Sequence, residues 1–94
     1  MTIAFFFLKN GAVHLTTFDK KSYLINKSLE ELGQITEPLF FRTNRQFLVN
    51  RKAVLDASSY LSRKLSVSLR VPTPEAITIS KEKIAQFPEW LTQS

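Results

Sequence analysis

The sequence predicts a mostly β domain with a minor share of helix. Three observations carry that prediction. Asn10-Gly11 separates two apolar runs, and both residues tolerate the positive φ of a type I′ hairpin turn. Leu65, Val67 and Leu69 alternate with Ser66, Ser68 and Arg70, the period of a strand with one wet face. Helical spacing is confined to two short stretches, "SLEELGQI" and the C-terminal segment.

The elements follow in chain order. "FFFLKNGAVHLTTF" reads as strand, turn, strand, and a second turn at Asp19-Lys20-Lys21-Ser22 leads into "SYLIN", where Tyr23 and Ile25 share a face. Three strands joined by tight turns make an antiparallel meander. In "SLEELGQI", Ser28 caps the helix and Glu31 completes a capping box. Leu29, Leu32 and Ile35 recur at helical spacing, and Pro38 stops the element. In "FFRTNRQFLVN", a polar stretch from Arg42 to Gln46 interrupts the core-like Phe40, Phe41, Phe47, Leu48 and Val49. It reads as a short strand, a projecting loop and a return to the core. "AVLDASSYL" and "KLSVSLRV" then form a hairpin turning near Ser62-Arg63, "VPTPEA" is a loop, and "ITIS" is a last strand. Ser80 is placed to cap a C-terminal helix with Ile84, Phe87 and Leu91 on one side, and Pro88 predicts a kink or break in it.

Composition bounds the function. The chain has 94 residues, 44% of them hydrophobic, which suits one small domain. With no cysteine, disulfides and thiolate metal sites are excluded, and an intracellular setting is expected. No run approaches the ~20 apolar residues that span a bilayer. Thirteen Lys and Arg against eight Asp and Glu give a net charge of +5, which favours an anionic partner.

Catalytic and cofactor chemistry finds no constellation. His14, the only histidine, has no visible carboxylate or nucleophile partner, and Glu30 and Glu31 point to different sides of a helix. Two glycines cannot build a phosphate loop. The sequence therefore predicts no enzyme, no cofactor, no metal site and no small-molecule ligand.

The segment from Arg42 to Lys52 is the informative one. Arg42, Arg45, Arg51 and Lys52 lie in it without an acid. A solvated basic loop, or arginines paired with distant acids, is one reading, and nucleic-acid contact is the other. Arg45 at a loop tip can fork onto guanine O6 and N7, while Asn44 and Gln46 carry the donor and acceptor that suit adenine. Arg42, Arg51 and Lys52 more naturally hold phosphates.

"FFRTNRQFLVNRKAV" resembles the signature of the LytTR family, the DNA-binding output domain of bacterial response regulators. "TTFDKKSYLINKSLEEL" resembles the family's strand, turn, strand and Ser-Leu-x-x-Leu helix, and "AITISKEKI" its final strand and the step after it. The resemblance implies one LytTR-type domain over residues 1–94, an elongated stack of small antiparallel sheets with one short helix and a C-terminal helix. It also implies that loops enter successive major grooves. Base-reading residues would come from the hairpin turn at Lys9-Asn10, from Asn44, Arg45 and Gln46, and from Lys81. Phosphate contacts would come from Lys9, Arg42, Arg51 and Lys52, with Arg42, Arg51 and Asn50 also shaping the loop.

Further expectations are a receiver domain upstream, a cytoplasmic bacterial transcription regulator of a two-component system, and double-stranded DNA as partner. A dimer on repeated half-sites is also expected. Three departures stand out. Asn44 replaces the usual His, Lys81 the usual Arg, and the chain starts after the family's first strand, so the first sheet would lack an edge partner. The rival reading is a small β protein-interaction module with a basic surface loop. An RNA-binding module ranks third, because its stacking aromatics would sit exposed on a sheet face.

Overall fold

The computed structural model describes residues 2–59 and 64–93. Its first hairpin joins β1 (Ile3–Lys9) to β2 (Ala12–Thr17) through Asn10 and Gly11, at φ 53° and 77°. Both central residues thus take the left-handed conformation that the turn demands. A second turn, with Lys20 at φ 70°, leads to β3 (Ser22–Ile25). β4 (Phe40–Arg42) and β5 (Phe47–Asn50) complete a five-stranded antiparallel sheet in the order β3-β2-β1-β5-β4. The first strand is therefore the central one. β5 returns from the polar loop to fill its second edge, and the sheet edges fall at β3 and β4.

Centrality explains the unbroken apolar run of β1. Phe5 packs with Phe47 and Val49 on one face of the sheet, while Phe6 packs with Phe40 and Leu48 on the other. A strand covered on both sides has no wet face and so loses its alternation. The cover on the second face is α1 (Leu29–Thr36), whose Leu29 and Leu32 are buried there. Its capping box is complete: Glu31 N–H donates to Ser28 Oγ at 3.1 Å, and Ser28 N–H donates to Glu31 Oε1 at 3.0 Å. Ile35, expected on the buried stripe, is 66% exposed. Each step of three residues turns the stripe by about 60°, so by Ile35 it has left the sheet.

The first face is covered by a three-stranded antiparallel sheet of β6 (Val54–Ser59), β7 (Leu65–Leu69) and β8 (Ile77–Thr78), and by α2 (Gln86–Leu91). β6 and β7 pair as expected, but the turn assigned to Ser62-Arg63 lies outside the described residues. The C-terminal expectation needs correcting. Ser80 precedes a 3-10 turn, Lys81–Lys83, without a side-chain capping bond, and Pro88 stands in the first turn of α2. A proline is tolerated there because its missing N–H would have had no helical partner. Ile84 and Ala85 separate the 3-10 turn from α2, so the expected break is present, just ahead of Pro88. Phe87 and Trp90 carry its buried face, with Ile84 and Leu91 packed beside them. The body measures 35 × 30 × 24 Å, so the layers stack with only modest elongation.

Candidate nucleic-acid interface

The polar loop between β4 and β5 is tied down on both sides. On one side, Leu8 N–H donates to Gln46 O at 2.8 Å, fastening the loop to the end of β1. On the other, Ser80 N–H donates to Thr43 O at 2.7 Å and Asn44 Nδ2 donates to Thr78 O at 2.7 Å, fastening it to the exit of β8. These bonds set the β1–β2 turn with Lys9 and Asn10 on one flank of the loop, and Lys81 on the other. The three places expected to read bases are thereby brought to one end of the molecule.

Within the loop, only part of the polar stretch projects. Thr43 is fully buried, and its N–H donates to Phe47 O at 3.1 Å. Asn44 faces inward too: its Oδ1 accepts from Gln46 N–H at 2.7 Å and Phe47 N–H at 3.2 Å, while its Nδ2 holds Thr78. That is the geometry of an Asx turn, which short amides adopt readily. Arg42 lies beneath the loop, donating from Nε to Asn44 O at 2.8 Å and from Nη2 to Arg45 O at 2.7 Å. Burial lowers the Arg42 pKa from its usual value; nearby Glu30 opposes this shift and Arg45 adds to it. A guanidinium remains charged through such shifts. Arg45 and Gln46 are exposed, and their side chains make no hydrogen bond or ion pair among the described residues.

The other two charges of the segment lie elsewhere. Arg51 and Lys52 follow β5, at the end of that strand away from the loop, roughly 13 Å along it. The segment is thus not one basic patch. Arg51 donates from Nε to Trp90 O at 3.0 Å and from Nη2 to Pro38 O at 2.9 Å, with its guanidinium 5.1 Å from the Trp90 ring centre. Trp90 Nε1 donates to the same Pro38 O at 2.6 Å. The expectation that Arg51 stands free to reach a phosphate meets a side chain already engaged in joining α2 to the end of α1. Asn50 is likewise internal, donating to Ile3 O at 2.8 Å and accepting from Lys52 N–H at 2.9 Å. Lys52 is exposed.

Sequence reasoning passed over Thr43, Thr78 and Trp90. The Phe87–Trp90 spacing of three residues was the one available signal for the last. His14 stacks on Phe7, ring centres 5.0 Å apart, as a structural histidine does. No group of His, Asp and Glu able to hold a metal occurs among the described residues, and no helix among them is long and apolar enough to cross a membrane.

What the loop end can do chemically is plain. It presents Lys9, Arg45 and Lys81 as cations and Asn10 and Gln46 as amides, on a frame of main-chain hydrogen bonds. A shallow cleft of ≈ 530 Å³ runs beside it between Arg45, Gln46, Thr78 and Ser80. Glu75 lies beside Lys9 and Gln46, and Glu82 follows Lys81.

Comparison with known proteins agrees with this fold. The family model described as the LytTr DNA-binding domain matches residues 1–92. Among solved structures, the chain is similar to the LytTr DNA-binding domain assigned to a methyl-accepting/DNA response regulator from Bacillus cereus. That likeness has a TM-score of 0.81 at 16% identity, over 98% of this chain and 83% of the other. No curated protein matches the chain. The chain belongs to the LytTr DNA-binding domain family.

Proposed function

We propose that the domain binds double-stranded DNA sequence-specifically, inserting its loop end into major grooves. The supporting observation is the set of hydrogen bonds, from Leu8 and Ser80 to the loop and from Asn44 to Thr78 O, that hold the Arg45–Gln46 tip between the end of β1 and the exit of β8. A tip held in this way meets base edges without first having to be ordered, and ordering is a large cost of recognition. Arg45 forks onto a guanine, and Gln46 and Asn10 read neighbouring bases. Lys81, a point charge, and Lys9 hold phosphates on either flank. Lys52 reaches backbone farther along the duplex. Arg42, Asn44 and Arg51 act as positioning residues, since their polar groups already bind the chain itself.

In this reading the domain is the output module of a cytoplasmic two-component response regulator, with no catalytic role. A receiver lies upstream, and its phosphorylation brings two domains onto repeated half-sites. The response-regulator description of the Bacillus cereus protein supports that setting.

In vitro selection from random duplexes tests the proposal. The expected product is a site carrying two copies of a short motif in direct repeat, bound more tightly than random duplex or RNA. Equal binding to all three, or none, would overturn it.

A further inference from the structure

The five-stranded sheet ends in two unlike edges. In antiparallel pairing, alternate residues turn their N–H and C=O groups toward one neighbour and the rest face away. Thr17 N–H donates to Lys21 O, so in the β2–β3 ladder Lys21, Tyr23 and Ile25 face β2. Ser22 and Leu24 then point their backbone groups outward. At the other edge, Arg51 N–H donates to Leu39 O and Thr43 N–H to Phe47 O, which turns Leu39, Phe41 and Thr43 toward β5. Phe40 and Arg42 face outward. None of these four residues has a further backbone partner among the described residues.

The edges differ in shape and charge. β3 is a bare tongue: its side chains include Leu24 at 71% and Tyr23 at 46% exposure, with no charge in the strand. Lys20 and Lys21 precede it and Lys27 follows, with Asp19 3.9 Å from Lys21 and Glu31 near Lys27. β4 instead forms the floor of a groove of ≈ 660 Å³ walled by α1 and α2. Glu30 and Glu37 lie along one wall and Glu89 along the other, three of the eight acids in the chain. Arg42, at the same groove, turns its guanidinium toward the loop carbonyls, which leaves Lys83 as the cation of the walls.

We infer that β3 of one copy docks in the β4 groove of the next, extending the sheet head to tail. Lys20, Lys21 and Lys27 then meet Glu30, Glu37 and Glu89, and Tyr23 and Leu24 leave water. Four antiparallel pairings separate β3 from β4, so the two edges run in the same direction. A copy carried along the sheet without being turned over therefore adds its β3 parallel to β4. Such a contact is heterologous and orders copies in tandem, not about a two-fold axis. A four-residue strand in a groove buries less than the ~1,200 Å² of a stable interface, so the association is transient and concentration-dependent. It does not rest on the DNA reading.

The absence of cysteine makes the test direct. Tyr23→Cys places a thiol on the tongue, and Gln34→Cys places one on the α1 wall of the groove. Each protein alone, and an equal mixture, is treated with a flexible bis-maleimide at high concentration without DNA, with urea-unfolded mixtures as background. The mixture should give a cross-linked heterodimer well above background, and each protein alone should not. Lys21→Glu with Lys27→Glu on the tongue partner should cut the yield roughly tenfold, equivalent to ~1.4 kcal/mol. Glu37→Lys with Glu89→Lys on the groove partner should restore it. Self-cross-linking of Tyr23→Cys alone would mean a two-fold β3–β3 contact and overturn the inference. So would a mixture no better than background, which would leave the lysines as guards of an exposed edge.

Discussion

Arg42 and Arg51 on one side, and Arg45 on the other, come from the same twelve residues and have opposite surroundings. The two outer arginines turn inward and grip main-chain oxygens: Asn44 and Arg45 for Arg42, Pro38 and Trp90 for Arg51. Arg45 turns outward and makes no side-chain hydrogen bond or ion pair among the described residues. The crowding of like charges in "FFRTNRQFLVNR" is eased by carbonyl oxygens that accept from two of the guanidiniums, with Glu30 near Arg42 adding an opposite charge. None of the three arginines joins an ion pair among the described residues. Two arginines hold the chain, and the third is exposed.

The comparison can be broken most severely at Phe47, which anchors the loop's return to the sheet and is 1% exposed. Phe47→Ala should cost roughly 3–5 kcal/mol, a large part of the stability of so small a domain. Urea unfolding monitored by circular dichroism should show the cooperative transition lost or moved close to water. DNA binding should fail only as a consequence.

Next in size is Arg51. Arg51→Ala removes its bonds to Trp90 O and Pro38 O, which keep Gln93 N–H and Trp90 Nε1 as donors, and removes the cation–π contact, for a cost of about 1–3 kcal/mol. In a domain of this length that is a fall in melting temperature of roughly 4–8 °C per kcal/mol, measurable by calorimetry. Arg45→Ala, by contrast, should melt with the parent.

Salt sharpens the contrast further. With Arg42 and Arg51 engaged internally, Lys9, Lys52 and Lys81 remain for phosphates. A slope of log K against log salt near −2.7 is expected for about three contacts. A slope twice as steep would mean that the inward arginines let go of the chain and join the duplex.

The smallest effect concerns acid. Hydrogen bonding from the Ser28 backbone, then from its side chain, lowers the Glu31 pKa below its usual value. A carboxylate so held contributes stability that is fully present above the unfolded-state pKa and is lost as pH falls through the lowered folded value. Glu31→Gln should therefore flatten the acid limb of a stability–pH curve slightly, leaving neutral pH nearly unchanged.

Much of the fold is legible in local sequence. Asn10-Gly11, the Ser28–Glu31 box and the alternation from Leu65 to Arg70 each specify their element within a few residues. What is not legible depends on distant partners. The inward turn of Arg51 needs Trp90 O, supplied from 39 residues away, and Pro38 O, from 13. Asn44 looks like a base reader until Thr78, 34 residues on, takes its amide. The central position of β1 also escapes local reading, because burial on both faces removes the period that would announce it. The loop end itself emerged from the resemblance as three separate stretches, and the hydrogen bonds of Leu8, Thr78 and Ser80 make it one surface.

The division between holding and reading is tested most directly by one titration. Parent, Arg45→Ala and Arg51→Ala proteins are bound to the selected site and to copies changed at single base pairs, well below all melting temperatures. Arg45→Ala should lose about 1–3 kcal/mol on the selected site and bind the copies changed at one or two positions equally well. Arg51→Ala should keep the parent's ranking of every site. If Arg51→Ala erased the base preference while Arg45→Ala kept it, the assignment of the two arginines would be reversed and the account contradicted.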